Sequence, residues 1–183
     1  MSSRFLIAAI PLLVAAGAAG PALPEMRMTP EEIRAEARGT EQIGSSGVPG
    51  VHTKVAFGDP SRQGFYTILL FVPAHTTIQA HSHRDDRVAT VVSGMWQFGY
   101  GDRFDAGALK TLPPGSVYSE PGGEQHNHFA RTGDDSVIVA ISGYGPTDTR
   151  YVDAAADPRT QKPGENPGEV GQPRNEPDAQ SHR

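Results

Sequence analysis

Apolar and polar positions along the middle of the chain come in short runs. Between residues 51 and 152, segments rich in Val, Ile, Thr, Phe and Tyr predict strands at 51–57, 65–72, 77–81, 88–92, 95–100, 117–119, 125–130 and 137–143. Turn signals separate them: GDPSRQG, SGM, LPPGS and EPGGE. No stretch of this region sustains a 3.6-residue apolar repeat, and DAGALKTL (105–112) has room for one helical turn at most. Strands at such regular spacing predict an all-β barrel or double-sheet jelly roll over 51–152.

The flanks read differently. Arg4 is followed by FLIAAIPLLVAAGAA (5–19), an apolar run shorter than the ~20 residues needed to cross a bilayer. Ala16-Gly17-Ala18 and Gly20-Pro21-Ala22 both offer a small-x-small cleavage pattern. Residues 1–22 are therefore read as a signal peptide. The expected product is exported, periplasmic or secreted, with no stable membrane insertion after processing; the alternative is an uncleaved anchor. Thr29-Pro30-Glu31-Glu32 is a capping-box pattern predicting a helix to about Ala37, and GSSGVPG (44–50) reads as a flexible approach, so 23–50 is helix plus linker. The tail, 153–183, holds five prolines and Val170 as its one aliphatic residue larger than alanine. Too little apolar surface is available there to offset ordering entropy, which predicts a disordered C-terminal tail.

Composition narrows the chemistry. The 183 residues include no cysteine, which excludes disulfides, thiolate nucleophiles, Cys-ligated zinc and iron–sulfur clusters. Net charge is −5 with no basic cluster, so the electrostatic footprint of a nucleic-acid binder is missing. No G-x-S-x-G elbow, P-loop or dinucleotide glycine motif occurs.

The chemistry therefore rests on histidine. His52, His75 and His182 stand alone, whereas His81 and His83 are two apart, as are His126 and His128. On a strand, residues i and i+2 leave the same face, so each pair projects its imidazoles into one space. Two such pairs in opposite halves of an all-β domain point to a metal site, for which imidazole is a good ligand.

At these residues the chain resembles the cupin superfamily, small jelly-roll barrels that often carry one metal ion. HSHRDDRVATVVSG (81–94) supplies the HxH and closing glycine of the first cupin motif, and GSVYSEPGGEQH (115–126) supplies Gly115, Pro121, Gly123 and His126 of the second. The resemblance covers 51–152 and implies a type-2-like cupin barrel with His81, His83 and His126 as metal ligands. It also departs from the pattern. The ligand glutamate position holds Arg87 (Val88 with the longer spacing), the terminal asparagine is Ala130, and Ala74 or His75 lies where the first glycine is expected.

Arg87 shares the strand parity of His81 and His83. A guanidinium beside a dication is repulsive by roughly 4 kcal/mol at ~4 Å and an effective dielectric of ~20. A metal then requires the arginine to bend away, or an anion or carboxylate to lie between. Asp85, Asp86 and Glu120 are the candidate carboxylates, and His128 is the candidate fourth imidazole. Glu120 and Glu124 sit in a Pro/Gly turn, where solvated carboxylates are the commoner case. Three readings follow. In the first, a divalent transition metal (Fe, Zn, Mn, Ni or Cu) is bound by His81, His83 and His126, while Arg87 orients a small anionic ligand or substrate. Cupin thiol dioxygenases, with three histidines and no glutamate, are the nearest family analogy. The second reading is a non-catalytic ligand-binding or sensing cupin, and the third treats the histidines as packing, with Arg87 paired to Asp85 or Asp86. The fold resemblance also admits a homodimer, and it does not decide whether turnover occurs.

Overall fold

The computed structural model describes residues 25–35 and 44–160. The proposed signal segment and most of the tail lie outside the described residues, and among those described no helix is long and apolar enough to cross a membrane. The capping box forms as written: Thr29 N–H donates to Glu32 Oε2 (2.7 Å) and Glu32 N–H to Thr29 Oγ1 (3.3 Å). It opens α1 (Pro30–Ala35).

Ten strands follow: β1 (His52–Phe57), β2 (Gly64–Val72), β3 (Thr77–Ser82), β4 (Arg87–Ser93), β5 (Trp96–Tyr100), β6 (Lys110–Leu112), β7 (Val117–Glu120), β8 (His128–Thr132), β9 (Val137–Gly145) and β10 (Arg150–Tyr151). They form two five-stranded sheets, ordered β1-β2-β9-β4-β7 and β10-β3-β8-β5-β6, with every pairing antiparallel. The predicted jelly roll is present. DAGALKTL resolves into a 3-10 turn, Ala106–Ala108, and strand β6. Ordered structure continues past Val152 through a second 3-10 turn, Ala154–Ala156, to Arg159, which reaches back to donate to the Thr149 carbonyl (2.9 Å).

Alternation explains the core. Tyr66, Ile68, Leu70 and Val72 of β2, Ala89 and Val91 of β4, and Val137, Val139 and Ile141 of β9 all turn inward between the sheets. Trp96 and Phe98 of β5, with Ile78 and Ala130, meet them from the opposite sheet. Outside the first sheet, Leu69, Phe71 and Ile138 form a smaller cluster that Ile33 of α1 helps cover. Gly94 makes the tight β4–β5 turn possible: its φ is +77°, and a Cβ there would lie 2.3 Å from the Ser136 carbonyl oxygen.

One irregularity positions the site. In β3, Ile78 faces Ala130 and His81 faces His128, so three steps on β3 match two on β8. This β-bulge inserts one residue and reverses the strand's inward parity. Without it, the parity that buries Ile78 would turn His81 outward.

Candidate metal centre

His81, His83 and His128 converge inside one end of the barrel, their candidate ligand atoms all within 4.8 Å of one another. His81 and His128 are cross-strand partners with ring centroids 4.4 Å apart; His83, just past the end of β3, lies 5.0 Å from the first and 5.1 Å from the second. All three are buried.

The third imidazole of the cluster is thus His128, and His126 is not part of it. His126 is exposed, in the turn before β8. The difference lies in where that strand begins. The expected strand, 125–130, would put both histidines on one face, but residues 121–127 form no strand and 123–125 bend and turn. His126 N–H donates to the Gly123 carbonyl (3.1 Å), and the Asn127 amide donates to Asp102 Oδ1 (2.8 Å) and the Glu124 carbonyl (3.2 Å). Pairing with β3 and β5 starts only at His128.

The remaining candidates separate cleanly. Asp86 is exposed and accepts from Gly122 N–H (2.8 Å), away from the cluster. Asp85 is buried but accepts from the Tyr66 hydroxyl (2.7 Å). Glu120, expected in a solvated turn, is instead the last residue of β7, directly opposite Arg87 on β4, and only 3% exposed. Directly opposed residues share a face. The two therefore meet inside, with Arg87 Nε donating to Glu120 Oε2 (2.6 Å) and Nη2 in contact with the same oxygen. Glu120 Oε1 is left facing His128 Nε2 at 3.9 Å, and Oε2 lies 3.7 Å from His83 Nε2. A carboxylate does stand between the arginine and the imidazoles.

Two of the three rings are anchored through Nδ1, whereas His128 is unpartnered at both nitrogens. His81 Nδ1 faces the Gln79 carbonyl (2.7 Å) and His83 Nδ1 faces the Asp148 carbonyl. A neutral imidazole donates from the nitrogen that meets a carbonyl, so Nε2 carries the lone pair. His83 Nε2 and His128 Nε2 are buried with no hydrogen-bond partner. Buried polar atoms are seldom left so. The donor set fits a divalent transition metal: three neutral imidazoles and one carboxylate.

Burial holds the imidazoles neutral. It lowers His81 and His128 to about 3, helped for His81 by the repulsion its protonated form would meet from a protonated His128 and for His128 by Arg87, and it lowers His83 well below its usual value, again with help from Arg87. Their folded values lie below the ordinary ~6.5, so the unfolded chain binds more protons between those limits. The metal-free protein is accordingly expected to hold this stability in full above pH ~6.5 and to lose it as pH falls toward ~3, by up to ~1.4 kcal/mol per unit for each imidazole. Urea unfolding at pH 7 and pH 5 checks this; equal stability at both would mean that the rings are solvated.

No family model matches the chain, and no curated protein matches it. Solved structures do. A polyketide cyclase from Streptomyces resistomycificus matches with TM-score 0.52 and 17% identity over 64% of this chain and 82% of that one. A cupin 2 conserved barrel domain protein from Rhodopseudomonas palustris matches with TM-score 0.46 and 15% identity, covering 58% and 69%. A sugar phosphate isomerase from a cupin superfamily of Silicibacter pomeroyi matches with TM-score 0.37 and 16% identity over 45% of this chain, spanning only 51% of that protein's length. At such identities the likeness concerns the fold alone.

Proposed function

We propose that this chain, a cupin in its fold, binds one divalent transition metal through His81, His83 and His128, with Glu120 as the carboxylate ligand. The observation that carries this reading is the pair of buried, partnerless Nε2 atoms on His83 and His128, aimed at a space that a carboxylate also faces. Histidines serving only as packing mostly have their buried nitrogens hydrogen-bonded; His52 Nε2 is a further buried nitrogen without a partner, but it lies outside the cluster of candidate ligand atoms. Glu120 comes from the strand facing Arg87, so the charge of the usual ligand glutamate is supplied from across the sheet.

A bound metal with an open position supplies Lewis-acid polarisation of a coordinated substrate. The chain's own residues do the rest. Arg87 fixes the Glu120 carboxylate through Nε and Nη2. Its Nη1 is buried without a partner, and is the donor left for the anionic group of a small ligand. Leu70, Trp96, Phe98 and Ile141 give the cavity apolar walls. One observation favours a binding or sensing role without turnover: the cavity at the imidazoles is only about 20 Å³, room for about one water-sized group. The apolar segment 5–19 supports export as the setting.

Arg87→Glu tests the arrangement. It exchanges a cation for an anion beside the ion, so zinc affinity, measured by competition with a chromogenic chelator, is expected to rise by at least ~10-fold, equivalent to ~1.4 kcal/mol. Unchanged affinity would mean that Arg87 does not face the bound ion.

A further inference from the structure

The metal cavity is closed by the chain's own N-terminal approach. Gly44 and Ser46 line it together with the three histidines, Arg87 and Glu120. Ser46 is only 5% exposed, and Val48 packs against the core. On its other side the same segment borders an open pocket of about 600 Å³, whose walls include Ser61, Arg84, Asp148 and Arg159. Gly44 lines both spaces. The strap 44–50 is thus the partition between bulk solvent and the imidazoles.

Its attachment is light. Among the described residues, no backbone–backbone hydrogen bond ties 44–50 to the barrel; the one bond of this kind at the strap runs from Val51 N–H to the Val48 carbonyl. Two side chains clasp it instead: the Tyr151 hydroxyl donates to the Ser46 carbonyl (2.7 Å) and Thr149 Oγ1 to the Ser45 carbonyl (3.2 Å). Arg159 lies against Gly47, where a Cβ would come within 2.8 Å of its Cγ. Gly44, Gly47 and Gly50 all have positive φ, at +90°, +75° and +83°. They give the strap pivots at its ends and middle.

We propose that the strap 44–50 is a gate over the site, latched by Tyr151 and Thr149, and that small ligands enter from the pocket bordered by Arg84 and Arg159 when it lifts. This rests on the metal-site reading for its purpose, but it is tested without metal. The probe is diethylpyrocarbonate, which carbethoxylates accessible neutral imidazoles, applied to the metal-free full chain and mapped residue by residue by mass spectrometry. In the wild type, exposed His126 should react quickly and His81, His83 and His128 slowly. Removing one latch hydrogen bond by Tyr151→Phe should raise the rates of those three together by about fivefold, and Tyr151→Phe with Thr149→Val by about 25-fold. His52 is 9% exposed on the other side of the first sheet, stacked on Phe71, so its rate should stay unchanged. Were His52 to rise in step with the three, the effect would be general loosening and the gate would be refuted. Buried-histidine rates unchanged in both variants, or a wild type whose three histidines react as fast as His126, would also overturn it. Failure of the metal reading shows separately, as absent metal uptake with the gating pattern intact.

Discussion

His128→Ala is expected to abolish stoichiometric metal binding, lowering affinity by at least ~100-fold, beyond the ~10–100-fold that loss of an outer-sphere partner typically costs. His126→Ala should leave binding intact. The contrast follows from two residues of chain. His128 sits in register with His81, its ring 4.4 Å away, whereas His126 is exposed in the preceding turn. Removing one of three neutral ligands leaves a divalent ion with two imidazoles and a carboxylate. Metal content after equilibrium dialysis of both variants decides the point. Equal loss in the two would return the assignment to the motif spacing and contradict the register described above.

Glu120→Gln is expected to destabilise the protein by about 3–5 kcal/mol, because it leaves the buried Arg87 guanidinium without its counter-ion. Arg87 is 4% exposed and Glu120 3%, so both charges are withdrawn from solvent. Breaking such a pair costs more than removing it whole. The double variant Arg87→Met with Glu120→Leu should therefore unfold at a higher urea concentration than Glu120→Gln. It should still bind metal more weakly than the wild type, since the carboxylate is gone. Stability would then be recovered relative to Glu120→Gln without recovery of the wild-type affinity, a pattern that general damage does not produce. If Glu120→Gln were neutral for stability, the ion pair would be solvated and the carboxylate would not be held at the imidazoles.

Much of this was legible in the chain as written. Alternating Val, Ile and Phe with Gly/Pro turns predicts the jelly roll, and Thr29 and Glu32 predict the helix start that their reciprocal hydrogen bonds make. The HxH at His81 and His83 predicts two convergent imidazoles, and they do converge. What escaped depends on pairing rather than on local pattern. Spacing alone could not choose between His126 and His128, because the choice turns on where β8 begins, and Asn127's side-chain bonds to Asp102 and Glu124 delay it. Glu120 ends a strand of only four residues and precedes Pro121, so it reads as turn. Its burial becomes visible only once β7 is laid against β4 with Glu120 opposite Arg87. The bulge in β3 is equally silent in sequence, yet it is what turns His81 and His83 inward. Arg87 and Glu120 make sense together: a buried arginine beside the imidazoles is tolerable because its cross-strand neighbour supplies the negative charge.

The most direct test of the central claim is the metal content of the full chain, produced without a histidine tag and loaded in turn with Zn, Fe(II), Mn, Ni and Cu, combined with X-ray absorption at the edge of the metal retained. One ion per chain is predicted, with scattering from three imidazole ligands in the wild type and in His126→Ala, and no stoichiometric ion in His128→Ala. A wild-type chain that retains none of the five ions, or one whose bound ion shows no imidazole scattering, would contradict it.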